Sequence, residues 1–128
     1  MSIQKGNIAE LEFLLQATRR NLIVSRPSIQ QTTYDFLVDN NKRIFKVQVK
    51  SNFQIGPNHD LGLAKGSKSK QFYCSNEVDI IACFINKLGA WYILPINITG
   101  ERLKIKIRPD SIDSKWNKYR EGWGLFNP

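Results

Sequence analysis

One histidine and two cysteines stand in the 128 residues, and that scarcity closes off several chemistries. A structural zinc site takes four Cys or His ligands at recognisable spacing, which His59, Cys74 and Cys83 cannot supply. The two cysteines have no second pair and read as reduced, buried thiols, which makes a redox role a poor fit. No apolar run approaches the roughly 20 residues of a membrane span. The opening "MSIQKGNIAE" lacks the apolar stretch of a signal peptide. A soluble, cytoplasmic protein is expected.

Acidic side chains are the other shortage. Eleven Asp and Glu face 19 Lys and Arg, a net charge of +8. A basic domain of this size most often meets a polyanion, and nucleic acid leads the candidates. A membrane surface is the weaker option, because no basic amphipathic helix with an aromatic face is present. Hydrophobic residues at 41% and charged residues at 23% are ordinary globular composition. The length suits a single domain over residues 1–128, able to close its own core.

Periodicity divides that domain into elements. "NIAELEFLLQATRR", residues 7 to 20, repeats apolar positions at Ile8, Leu11, Leu14 and Leu15, with Thr18 following. That spacing predicts a helix capped by Asn7, with Arg19 and Arg20 suiting its C-terminal dipole. "NLIVSRP" reads as a short strand stopped by Pro27. "YDFLVD" and "RIFKVQVKS" are strand-like and joined by "NNK", and an Asn pair tolerates the positive φ of a tight hairpin. Residues 52–70, "NFQIGPNHDLGLAKGSKSK", show almost no periodicity and predict a mobile basic loop, with His59 an ordinary loop residue. "VDIIACFI" and "AWYILPI" are apolar enough for central strands, with Leu88-Gly89 turning between them. "RLKIKIR" alternates strictly. "DSIDSKWNKYREGW" predicts a short closing helix capped by Ser111 or Asp113. The order implies an α/β (α+β) fold, a central sheet flanked by helices.

The polar residues of these elements suggest one chemistry. Val47 and Val49 alternate with Lys46, Gln48 and Lys50, so Gln48 and Lys50 share a face about 7 Å apart. Glu10 stands at the edge of the helix's packed side, and Asp35 on the first hairpin strand. An acid-rich pocket at a sheet end can hold Mg²⁺, which polarises a phosphodiester and acidifies a bound water. A neighbouring lysine can orient that water or stabilise the charge that develops. Ser28, Gln30 and Ser51 stand close in sequence and read as ordinary polar residues.

"KGNIAE", then "YDFLVD", then "VQVKS" resembles the motif series of the PD-(D/E)xK nuclease superfamily. "VDIIACFINKLGAWYILPI" and "KWNKYREGW" are similar to its small intron-encoded homing endonucleases, of the cyanobacterial transfer-RNA-intron type. The resemblance runs from about Lys5 to Trp123. It implies a nuclease core with a mixed sheet, Glu10 as the helix-borne acid and Asp35 as the main metal ligand. Gln48 takes the place of the second motif carboxylate, Lys50 is the motif lysine, and the Val49 carbonyl is a further ligand. Mg²⁺ is the implied cofactor, with Mn²⁺ as a substitute. The implied function is site-specific hydrolysis of both strands of duplex DNA, by a bacterial homodimer or homotetramer on a partly palindromic target. Tyr34 precedes Asp35 where the motif has proline. Gln48 is the larger departure, since an amide keeps an oxygen but brings no charge.

Two basic clusters lie outside these motifs. Lys65, Lys68 and Lys70 punctuate the loop with glycine and serine, a composition suited to a phosphate backbone. Arg102, Lys104, Lys106 and Arg108 project from one face of a strand, which can lie in a major groove. Aromatics do not interleave with these cations, so duplex is preferred over single strands. A Holliday-junction resolvase and a DNA-binding module that has lost catalysis are the competing readings. Asp35 and Lys50 together speak against the second.

Overall fold

The computed structural model describes residues 3–29, 33–65, 71–99 and 102–128. Helix α1 (Ile3–Arg19) is followed by strands β1 (Ile23–Ser25), β2 (Phe36–Asp39) and β3 (Ile44–Asn52). Next come β4 (His59–Gly62), β5 (Ala64–Lys65), β6 (Gln71–Phe72), β7 (Ile80–Ile85) and β8 (Ala90–Pro95). A one-turn helix, Ile96–Thr99, leads to β9 (Lys104–Ile107). Five strands form the central sheet in the order β1-β2-β3-β7-β8, with β3 and β7 parallel and the other neighbours antiparallel. The sheet is therefore mixed, as expected.

The hairpin forms as its sequence dictates. Asn41 takes φ 74° in the turn, which asparagine tolerates better than most residues. Asp39 and Asn40 side chains accept the turn amides of Asn41, Lys42 and Arg43. Gly89 likewise turns between β7 and β8 at φ 59°. β3 buries Phe45, Val47 and Val49 on one face and half-buries Lys46, Gln48 and Lys50 on the other. Every residue of β7 is buried, the signature of a strand covered on both faces.

Helix α1 departs from the expected register. It begins at Ile3, so Asn7 lies inside it and not at its cap. Its buried residues are Ala9, Phe13 and Ala17, spaced four apart, while Ile8, Leu11 and Leu15 are exposed. Hydrophobicity alone selected the wrong stripe. The helix instead lays a row of small side chains around one large ring, which lets it approach the sheet closely. Phe13 fills that contact, with Phe36 at 5.3 Å and Trp91 and Trp123 both at 5.5 Å between ring centres. Burying such a ring stabilises by about 1.5–3 kcal/mol.

The expected C-terminal helix is also corrected. Residues 111–126 form turns with two short 3-10 segments, Asn117–Tyr119 and Trp123–Phe126. Glu121 at φ 49° interrupts helical backbone between them. Its carboxylate accepts the Trp91 amide and the Trp123 indole N–H, both at 2.9 Å, which seals this segment over the α1 side of the sheet.

Residues 52–65 are likewise ordered. β4 pairs with β9 into a ribbon that covers the opposite face of the sheet, burying Leu61, Leu63, Ile105 and Ile107. His59 opens β4 as a buried residue, its Nδ1 3.0 Å from Asn52 Oδ1. Asn52 also donates to the Asp60 carbonyl at 2.7 Å. This polar network fixes a segment in which the sequence carries little periodicity. Cys83 is buried and its thiol is pushed up to about 12 by burial, whereas Cys74 is exposed, against expectation. Cys74 falls in the turn before β7, where its Sγ lies 2.7 Å from Asn76 Oδ1.

Candidate active site

β2 is shorter than its partner. It pairs with β3 only from Ile44 to Val47, so residues 48–52 extend past its end. Asp35 stands one position before β2 and bridges the transition. Its amide donates to the Val47 carbonyl at 2.8 Å, and its carboxylate accepts the Val49 amide at 2.8 Å. The side chain thus continues a ladder that the β2 backbone has left. A strand residue presents its N–H and C=O to the same neighbour, so the Val49 carbonyl faces the Asp35 side as well.

α1 contributes Glu10, at the margin of the face that buries Ala9 and Phe13. Glu10, Asp35, Gln48, Val49, Lys50 and Ser51 line a single cavity of about 270 Å³, with Gly6, Ala9 and Gly62 as its small walls. Glu10 is 25 positions from Asp35 and 40 from Lys50 in sequence, and they meet there because α1 crosses where β3 outruns β2. The half-buried Lys50 is held from outside the acid pair. Its Nζ lies 3.4 Å from the Ala64 carbonyl oxygen and 5.3 Å from the centre of the Tyr73 ring.

The electrostatics are those of a partly dried acidic pocket. Burial raises the Glu10 carboxyl, the neighbouring charge of Asp35 raises it further, and Arg26 draws it down. Burial also raises Asp35, opposed by the Val49 hydrogen bond and by the charges of Lys50 and Arg26. Lys50 is lowered by burial, with Asp35 pulling the other way. Arg26 Nη1 pairs with Glu10 Oε1 at 3.2 Å.

Among the described residues no three His, Cys, Asp or Glu side chains gather to hold a metal. The available donors are two carboxylates, the Gln48 amide oxygen and the Val49 carbonyl. This is a hard, all-oxygen set, which fits a small divalent cation such as Mg²⁺. Two carboxyls whose charged forms are disfavoured by burial, one of them also by its neighbour, are what a cation between them would relieve.

The sequence matches the PD-(D/E)XK endonuclease family over residues 2–126. The chain belongs to that family. Members generally use divalent metals, in keeping with the oxygen donors of the cavity. Among solved structures, the chain is similar to a bacterial homing endonuclease, I-Ssp6803I. The TM-score is 0.79 at 22% identity, over 97% of this chain and 90% of that one. That likeness shows the fold. No curated protein matches the chain in sequence.

The resemblance assigned Glu10, Asp35, Gln48, Val49 and Lys50 to the site, and the fold brings all five to one cavity. Ser51 lines it too, while Ser28 lines a neighbouring cavity, and Gln30 lies outside the described residues. Lys68 and Lys70 also lie outside them, and Lys65 contributes backbone to β5. In β9, Lys104 and Lys106 are exposed opposite the buried Ile105 and Ile107. Gly62 of the cavity wall pairs with Lys104, so this basic face borders the site. Lys106 lies 3.7 Å from Asp60, Arg102 stacks on Trp116 at 5.6 Å, and Arg108 is exposed beyond the strand.

Sequence reasoning missed Arg26 and Tyr73. Arg26 had one available signal: it stands between a short strand and Pro27, and a following proline restricts its backbone to extended geometry. Tyr73 had none. It stands 23 positions from Lys50 and reaches it only through the β5–β6 hairpin.

Proposed function

We propose that this chain is a metal-dependent endonuclease that hydrolyses both strands of a specific duplex DNA site, in the manner of a homing endonuclease. The observation that carries the reading is the convergence of Glu10, Asp35, Gln48 and Lys50 on one small cavity. Mg²⁺, held by Asp35, Glu10 and the Val49 carbonyl, would supply Lewis-acid polarisation of the phosphodiester. Mn²⁺ would substitute. Asp35, fixed by the Val49 amide, keeps one oxygen for that role. Gln48 offers an uncharged acceptor beside it. Lys50, partly desolvated, presents a cation to the negative charge that builds on the phosphate oxygens. Lys104 and Lys106 of β9, beside the site, suit base and phosphate contacts in a groove, and Lys65, Lys68, Lys70, Arg102 and Arg108 would add backbone contacts.

Cutting both strands takes two such sites related by a two-fold axis, and with it a partly palindromic target. The exposed apolar stripe of Ile8, Leu11 and Leu15 on α1 supports self-association as a homodimer or homotetramer. Light scattering tests this, and a mass of 14.8 kDa both free and on DNA would exclude it.

The test of activity is cleavage of a random-sequence duplex library and of a four-way junction, with and without Mg²⁺. Recovery of one duplex sequence cut only with metal supports the reading. Cleavage confined to the junction would make the protein a resolvase. Duplex binding without cleavage under any divalent ion would make it a DNA-binding module.

A further inference from the structure

Beside the acid pair lies a second cavity, of about 480 Å³, whose Arg26 and Ser28 stand outside the motif stretches. Asn7, Arg26, Ser28 and Tyr34 line it, and Glu10 and Asp35 form the wall it shares with the Lys50 cavity. The two cavities therefore adjoin at the same two carboxylates. We infer that this second cavity is a backbone-phosphate subsite for the DNA strand being cut, with Arg26 as its cation; the inference rests on the nuclease reading above.

The placement argues for it. A strand whose reacting phosphate lies at Glu10 and Asp35 must continue past them, and the Arg26 cavity adjoins the same two carboxylates without being lined by Lys50. That stretch of strand meets two carboxylates, and the cavity supplies one cation and neutral donors to offset them. Asn7 and Ser28 are hydrogen-bond donors suited to phosphate oxygens. Arg26 is held ready for the task. It leaves β1, Pro27 limits its backbone, and its guanidinium stacks 4.9 Å from the centre of the buried Phe36 ring. Half of its side chain remains open to solvent, so a strand can reach it. A guanidinium presents a planar fork that matches phosphate better than a lysine ammonium does.

The structural alternative is that Arg26 serves only as counter-ion to Glu10, to which it is paired at 3.2 Å. The two roles separate in binding experiments that need no cleavage. Duplex affinity is measured by fluorescence anisotropy in EDTA from 50 to 300 mM KCl, for the parent, Arg26→Gln and Arg26→Lys. Thermal unfolding controls for folding. A phosphate subsite predicts that Arg26→Gln weakens binding and lowers the salt slope by about 0.9, the value for one phosphate contact. Arg26→Lys should keep the slope while still losing affinity several-fold, because the charge remains and the fork is gone. Unchanged affinity and slope in a folded Arg26→Gln variant would overturn the subsite and leave the nuclease reading standing. Equal affinity of Arg26→Lys and parent would reduce Arg26 to a general positive charge and overturn it too. A parent protein with no duplex affinity at 50 mM KCl, in EDTA and in Mg²⁺ alike, would overturn the nuclease reading itself.

Discussion

The Lys50 ammonium lies over the face of Tyr73, 5.3 Å from its ring centre, and the same hairpin that carries this ring offers the Ala64 carbonyl at 3.4 Å. Ala64 of β5 and Tyr73, directly after β6, thus hold Lys50 in place. A cation–π contact of this kind contributes about 1–2 kcal/mol. Tyr73→Leu should therefore slow single-turnover cleavage by roughly 5- to 30-fold while leaving duplex affinity unchanged. Tyr73→Phe keeps the ring and should cleave like the parent. Full activity in a folded Tyr73→Leu variant would show that the ring merely packs.

Asp35 is expected to cost stability in the metal-free protein. Its folded carboxyl is raised above the unfolded value by burial, so the folded state takes up a proton more readily. That contribution is fully present below the unfolded pKa and is lost as pH rises through the folded one. At neutral pH, Asp35→Asn should raise the midpoint of thermal unfolding by about 3–6 °C, on the order of 1 kcal/mol for a domain of this size. The amide oxygen can still accept the Val49 N–H. The variant should be inactive, and Mg²⁺ should raise the midpoint of the parent but not of Asp35→Asn. A midpoint that falls in EDTA would mean that the Lys50 and Arg26 charges outweigh the burial of Asp35.

Gln48 is expected to set how much metal the site needs. Gln48→Glu adds a negative charge beside Asp35, and cleavage should then begin at lower Mg²⁺ concentration. Its maximal rate need not rise, because the added charge also repels the phosphate. Gln48→Ala removes the oxygen and should slow cleavage without unfolding the domain. Rate against Mg²⁺ concentration for the three forms is the measurement. Coincident curves would make Gln48 a plain strand residue.

Lys104 faces solvent across the ribbon from Gly62 of the cavity wall. If β9 enters the groove, Lys104→Gln should relax base preference at particular positions, at about 1–3 kcal/mol each, in a selection from randomised duplex. Neutralising Lys65 or Lys68 should weaken all sequences alike and lower the salt slope by about one unit per contact. Equal, sequence-independent losses at both clusters would make the strand another phosphate rail.

Phe13 anchors α1 on the sheet, fully buried among Phe36, Trp91, Trp123 and Phe126. Phe13→Ala should destabilise by about 3–5 kcal/mol in urea unfolding. The same experiment on Leu11→Ala, exposed on the other side of the helix, should stay within about 0.5 kcal/mol for the monomer. Similar losses in both would restore the apolar stripe as the packed face.

The hairpin, the central strands and the alternation of Lys46, Gln48 and Lys50 against Val47 and Val49 were determined by the sequence itself. Those features are local: a period of two sets which side chains share a face, and Asn41 or Gly89 sets a turn, whatever lies elsewhere in the chain. The order of the motif residues was legible for the same reason. The face α1 turns inward was decided only in three dimensions. Ala9 and Ala17 look indifferent in sequence, yet close approach of helix to sheet favours small side chains around Phe13 over the more hydrophobic Ile8, Leu11 and Leu15. β4 shows the same limit, since its burial depends on pairing with β9, more than 40 positions away. Arg26 and Tyr73 reach the site only through the ends of β1 and the β5–β6 hairpin. Sequence patterns record what a residue's own neighbours along the chain require. The second cavity and the cradle of Lys50 are made by elements that meet from afar, and the energy that places them there is tertiary packing.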